Sequence, residues 1–168
     1  MLETLFFIIV AAVAVLSSIL VITCKNPINS ALSLIMTFFC LATFYVMLDA
    51  PFMAAIQVIV YAGAIMVLIV FVIMLLNIKS ETGRRSSHAV ILGAVMGFFV
   101  LFETCYFLNR SKITGTVGNM TKDLVNQQGH TELIGKALYT EFLLPFEITS
   151  LLLLVAIIGA VVLAKKKI

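Results

Sequence analysis

From Phe52 to Asn77 the chain carries no Asp, Glu, Lys or Arg, and nearly every position is Ile, Val, Leu, Met, Phe or Ala. In water such a run would expose more apolar surface than a chain of 168 residues can cover. Wound as an α-helix at about 1.5 Å per residue, it crosses a hydrocarbon core of about 30 Å with length to spare. Excess length must be absorbed by tilt, by protrusion or by a departure from regular α-helix. The rest of the chain agrees with a lipid setting. Hydrophobic residues make up 62% of it and charged residues 11%, against roughly half and a quarter in water-soluble domains.

Four further apolar runs are separated by short polar breaks, and the chain reads as one all-α integral membrane domain with spans over 2–22, 29–48, 52–77, 89–108 and 142–164. Thr23-Cys24-Lys25-Asn26-Pro27 ends the first span, because a charge and a proline interrupt an apolar helix. Asp49-Ala50-Pro51 is short enough to force spans two and three into an antiparallel hairpin. A polar stretch from Lys79 to His88 precedes the fourth span, and a long loop over 109–141 precedes the fifth. Within that loop Leu133, Ile134, Ala137 and Leu138 fall on one helical stripe, which predicts a short amphipathic helix on the membrane surface. The chain opens Met1-Leu2-Glu3 with no Lys or Arg before Lys25, so the first run is read as a span rather than a signal peptide, although Ala12-Val13-Ala14 imitates a cleavage site.

An odd number of spans places the termini on opposite sides. Lys25, Lys79, Arg84, Arg85 and Lys165 to Lys167 share one side; Arg110, Lys112, Lys122 and Lys136 share the other, offset by Asp123, Glu132 and Glu141. The positive-inside rule then predicts an outer N-terminus and a cytoplasmic C-terminus. The net charge of +3 is spread through these loops without interleaved aromatics, so it reads as a topology signal and not as a nucleic-acid-binding face. Cys24, Cys40 and Cys105 form no metal-binding or disulfide pattern, and no phosphate loop or nucleophile motif is present. His88 and His130 are read as solvated loop histidines.

Polar groups inside the apolar runs are the candidates for function. A carboxylate in hydrocarbon persists where it meets a partner helix, water or an ion path, so Glu103 and Glu147 are candidates either for proton relay or for pairing with a neighbouring subunit. Glu81, beside the end of span three, is a loop charge or a partner contact. Gly93 and Gly97 form a GxxxG in span four, and Ala156, Ala160 and Ala164 repeat small residues in span five, both suited to close helix packing. Gln57 and Tyr61 lie one helical turn apart and so share a face of span three. Just beyond them Gly63, flanked by alanines, lets another helix approach or lets the backbone leave α geometry.

The run IVYAGAIMVLIVFVIMLLN, from Ile59 to Asn77, resembles the third helix of subunit J of the proton-pumping NADH:quinone oxidoreductase, respiratory complex I, the family of mitochondrial subunit 6. Lys25-Asn26-Pro27-Ile28-Asn29-Ser30-Ala31-Leu32 resembles the family's first loop and second helix, and Gly135 to Lys167 its last loop and fifth helix. The long loop from Arg110 to Thr131 carries no resemblance. The resemblance implies a π-bulge in span three around Tyr61, Gly63, Ala64, Met66 and Val67, which forms and relaxes in turnover and controls a water path toward a carboxylate of the neighbouring subunit K. It also implies quinone-site and antiporter-like partner subunits, and a compact chain read as carrying no targeting presequence suits a bacterial plasma membrane. NADH, FMN, iron–sulfur clusters and quinone would all belong to partners, leaving this chain without a cofactor or catalytic centre. Two other classes compete with that role: a self-contained small transporter or channel, and a structural membrane scaffold. The absence of an inverted repeat or a broken-helix pair weighs against the first of these.

Overall fold

The computed structural model describes residues 1–76, 87–110, 125 and 127–165, and all regular structure among them is helical. Five helices are long and apolar enough to cross a membrane. The described residues divide into two compact units, within Met1–Thr116 and Val117–Ile168.

In the first unit, α1 spans Leu2–Thr23 and α2 spans Pro27–Met47. Pro27, expected to end span one, instead opens span two. It occupies the first turn of α2, where its missing N–H costs nothing. Asn26 is held extended, as a residue before proline prefers, and its side chain accepts a hydrogen bond from the Ile28 N–H at 2.9 Å. Ser30 Oγ reaches back to donate to the Cys24 carbonyl at 3.3 Å, satisfying one acceptor left open beyond the end of α1.

The break after α2 has a similarly local cause. Asp49 N–H donates to the Val46 carbonyl at 3.1 Å and Ala50 N–H to the Tyr45 carbonyl at 2.9 Å. These two bonds form a Schellman motif with Asp49 at its left-handed position, φ 56°. Pro51 then starts the third span, α3, which runs over Pro51–Leu76.

Helix α2 packs against α1 and along the length of α3. The facing surfaces bury Ser17, Ala31, Cys40, Ala42, Ala54, Gln57, Ala62 and Met66. Most of these are small, which is what lets helices approach when lipid supplies no hydrophobic drive between them. Ser17 Oγ and Thr37 Oγ1 lie 2.9 Å apart across the α1–α2 contact. Each hydroxyl also lies within reach of a carbonyl of its own helix, Ala14 at 3.0 Å and Ser33 at 3.1 Å. Two protons thus serve three contacts, so a hydrogen bond between the helices forms when one of the two hydroxyls turns its proton from its own carbonyl to the other oxygen.

Helix α4 covers Ser87–Arg110, beginning two residues earlier than expected, so that His88 falls in its first turn. No other described element of its unit packs against it. A Cβ added at Gly93 or Gly97 would meet nothing within 4 Å among the described residues, so the GxxxG face is open. In the second unit α5 spans His130–Thr140 and α6 spans Leu143–Ala164. The short helix expected in the long loop is therefore present, and His130 opens it rather than lying in a loop.

Candidate functional site: a π-helical segment in the third span

Within α3 the stretch Gln57–Ile65 is π-helical, with α-helix before it over Pro51–Ile56 and after it over Met66–Leu76. At its end the Met66 N–H is shared between the carbonyls of Gly63 and of Tyr61, five residues back. The anticipated departure from α geometry is thus a continuous segment. It includes Tyr61, Gly63 and Ala64, whereas Met66 and Val67 lie just beyond it in α-helix.

The burial pattern carries the mark of this geometry. Ala54 and Gln57 are buried three residues apart and Ala62 and Met66 four apart, but Gln57 and Ala62 are separated by five. In a regular α-helix the residue sharing a face with Gln57 would be Tyr61. Here Ala62 takes that place, and Tyr61 is turned out to 44% exposure, its ring edge-on to Phe38 of α2 at 5.9 Å. The expected common face of Gln57 and Tyr61 is therefore not what the fold builds. The cause is the wider turn, which shifts everything beyond it by one position, about 100° around the helix axis.

Gly63 allows this winding. An added Cβ there would stand 3.2 Å from the carbonyl oxygen of Val58, five residues back, and would meet no described side chain and no other helix within 4 Å. Of the two uses foreseen for this glycine, backbone freedom is the one met within the chain; no described helix closes on it. Val58 and Phe38 were not singled out by residue type, because one acts through its carbonyl and the other through its position on α2. Ser17 and Thr37 were legible as hydroxyls in apolar runs, but their pairing is a tertiary fact.

The acidic candidates lie elsewhere. Glu103 is exposed on α4, about 10 Å from its C-terminal end. Glu147 is exposed as the fifth residue of α6, just past its first turn. Glu81 lies outside the described residues. Cys24, Cys40 and Cys105 are free thiols, and no group of three His, Cys, Asp or Glu side chains among the described residues is arranged to hold a metal ion.

The family model for NADH-ubiquinone/plastoquinone oxidoreductase chain 6 matches residues 17–163. The chain is 40% identical to a chloroplastic NAD(P)H-quinone oxidoreductase subunit 6 of Staurastrum punctulatum, over 84% of this chain and 78% of the relative. It is 33% identical to NADH-quinone oxidoreductase subunit J of Rickettsia typhi, over 97% and 80%, and 35% identical to NADH-ubiquinone oxidoreductase chain 6 of Prototheca wickerhamii, over 96% and 86%.

Proposed function

We propose, from the premise that this chain belongs to the NADH-ubiquinone/plastoquinone oxidoreductase chain 6 family, that it couples quinone reduction to proton translocation by switching the winding of its third span. The chain is a multi-pass membrane subunit of an NADH-quinone oxidoreductase. Within that assembly its part is conformational. It carries no redox centre; NADH, FMN, iron–sulfur clusters and quinone are handled by partner subunits. Its third span works beside subunit K and the quinone-site and antiporter-like subunits, in a bacterial plasma membrane with the N-terminus outside and the C-terminus in the cytoplasm.

The observation that supports this reading is the π segment Gln57–Ile65 in mid-span. A π-turn has poorer hydrogen-bond geometry than an α-turn and occurs often at functional sites. Rewinding it to α-helix would turn one half of the span against the other by about 100°. Beyond Gln57 the residues facing α2 would change from Ala62 and Met66 to Tyr61 and Ile65. That exchange places a phenol where there was a methyl group, next to the buried amide of Gln57. A polar pair of this kind orders water across an apolar layer, and its loss breaks the path.

Gly63→Leu is the test. A side chain at 63 fits an α-helix without strain, but in the π form its Cβ crowds the Val58 carbonyl. The mutant complex is expected to assemble and to oxidise NADH with an artificial acceptor at the normal rate, while quinone-linked turnover and proton pumping fall together. Normal pumping by an assembled Gly63→Leu complex would mean that span three is packing alone.

A further inference from the structure

We infer that a furrow at the Asp49 end of the first three spans holds one phospholipid with a primary-amine headgroup, its acyl chain in the furrow and its ammonium at Glu3 and Asp49. Two hollows meet there. The first is lined by Leu2, Phe6 and Ile9 of α1, with Glu3 and Asp49 at its rim, both exposed. The second has the small, buried Ala42 of α2 and Ala54 of α3 in its lining and extends to Phe39. Phe6, Val46 and Met47 line both, which joins them into one furrow. Along α2 its lining falls on a single face, because Phe39, Ala42, Thr43, Val46 and Met47 repeat with the helical period. That face is not covered within the unit: Phe39 keeps 45% of its surface and Val46 58%.

Depth and charge select the occupant. From Phe39 to Met47 α2 rises about 12 Å, so with its rim the furrow has the depth of one leaflet, half of a hydrocarbon core of about 30 Å. A partner helix packs along a whole span, whereas an acyl chain ends where this furrow does. The lining offers a polar guest little, since Thr43 Oγ1 donates to the Phe39 carbonyl of its own helix at 2.9 Å. Charge is confined to the rim. Its two carboxylates face at most the amino group of Met1, and Lys25, the one Lys or Arg before Lys79, lies at the opposite end of α1 and α2. Helix α1 starts without a side-chain cap, so its first N–H groups are left for an anion. A zwitterionic headgroup meets both demands, with its phosphate at the start of α1 and its ammonium at the carboxylates. A primary ammonium donates hydrogen bonds to carboxylates and a trimethylammonium has none to donate, which favours ethanolamine over choline.

The test uses the assembled complex in phosphatidylcholine vesicles containing a trace of phospholipid with a diazirine in one acyl chain and either an ethanolamine or a choline headgroup. After irradiation, adducts on the peptides that hold Phe6 or Phe39 to Met47 are expected to be about fivefold more abundant with the ethanolamine probe. Glu3→Gln combined with Asp49→Asn keeps the shape of the rim and removes its charge, and should bring the ethanolamine yield down to that of choline. Should the double variant fail to assemble, Glu3→Gln alone is expected to lower the preference by at least about twofold. Equal yields from the two probes in the unaltered complex overturn the inference, and so does a preference that survives the loss of the carboxylates. A furrow that gives no adduct with either probe is filled by a partner subunit and overturns it as well. The readout is adduct mass and not turnover, so it is independent of whether the third span couples proton pumping.

Discussion

At Gly63 a single added methyl group would be felt differently in an α-helix and in the π segment. In α-helix an alanine is favoured over glycine by about 1 kcal/mol, while in the π segment the same methyl stands 3.2 Å from the Val58 oxygen. Gly63→Ala is therefore expected to move the balance toward α by about fivefold and to slow quinone-linked turnover partially, between wild type and Gly63→Leu. Tyr61→Phe removes a hydroxyl without changing the winding, and its effect should stay near the 1 kcal/mol of one hydrogen bond. A Tyr61→Phe complex more impaired than Gly63→Leu would place the function in the phenol and not in the backbone. Asp49 shows a different residue-scale constraint. Its φ of 56° is open to Asn and Asp but costs a β-branched residue about 1–2 kcal/mol. Asp49→Asn should leave the heat resistance of the assembled complex unchanged and Asp49→Val should lower it; equal resistance would show that the turn is not strained by side-chain bulk.

Helices α2 and α3 are joined so that a π segment is tolerated in one of them. The Schellman turn and Pro51 fix where α3 begins, and the small buried residues keep it close to α2. The extra residue of the π segment therefore emerges as rotation within the span. Helix α6 poses a question of depth instead. Glu147 stands about 6 Å from the start of the helix, near enough to the boundary for its carboxylate to reach headgroups or water, and the N-terminal end of a helix favours an anion. Glu147→Gln keeps the shape and hydrogen-bonding capacity and removes only titration, so assembly and pumping are expected to persist. A collapse of pumping in an assembled Glu147→Gln complex would make this carboxylate a member of the proton path.

At the scale of the whole molecule the spans do not satisfy themselves. Large apolar side chains are exposed along all five, as with Phe98 at 72% and Val155 at 69%, so lipid and partner subunits complete what the chain leaves open. Orientation belongs to this scale as well, because it arises from the summed bias of Lys and Arg over loops. A reporter fused after Lys167 that works only when exported should be silent, and one that works in the cytoplasm should be active; the reverse pattern would invert the assigned topology. Span number, the hairpin at Asp49-Ala50-Pro51 and the helix carrying Leu133 to Leu138 were determined by sequence alone. Each rests on a local cause: a run of side chains too apolar for water, a proline without an N–H, a stripe repeating with the helical period. Even the surplus length and the glycine of span three were visible there. A π-bulge near Tyr61 was implied by the family resemblance, but only the tertiary structure decided that the π segment runs over Gln57–Ile65, that Ala62 and Met66 rather than Tyr61 turn inward, and that Ser17 meets Thr37. The apolar residues of that span carry no local signal that separates one winding from the other, and which of them are buried depends on the packing of α3 against α2, a contact between residues distant in sequence.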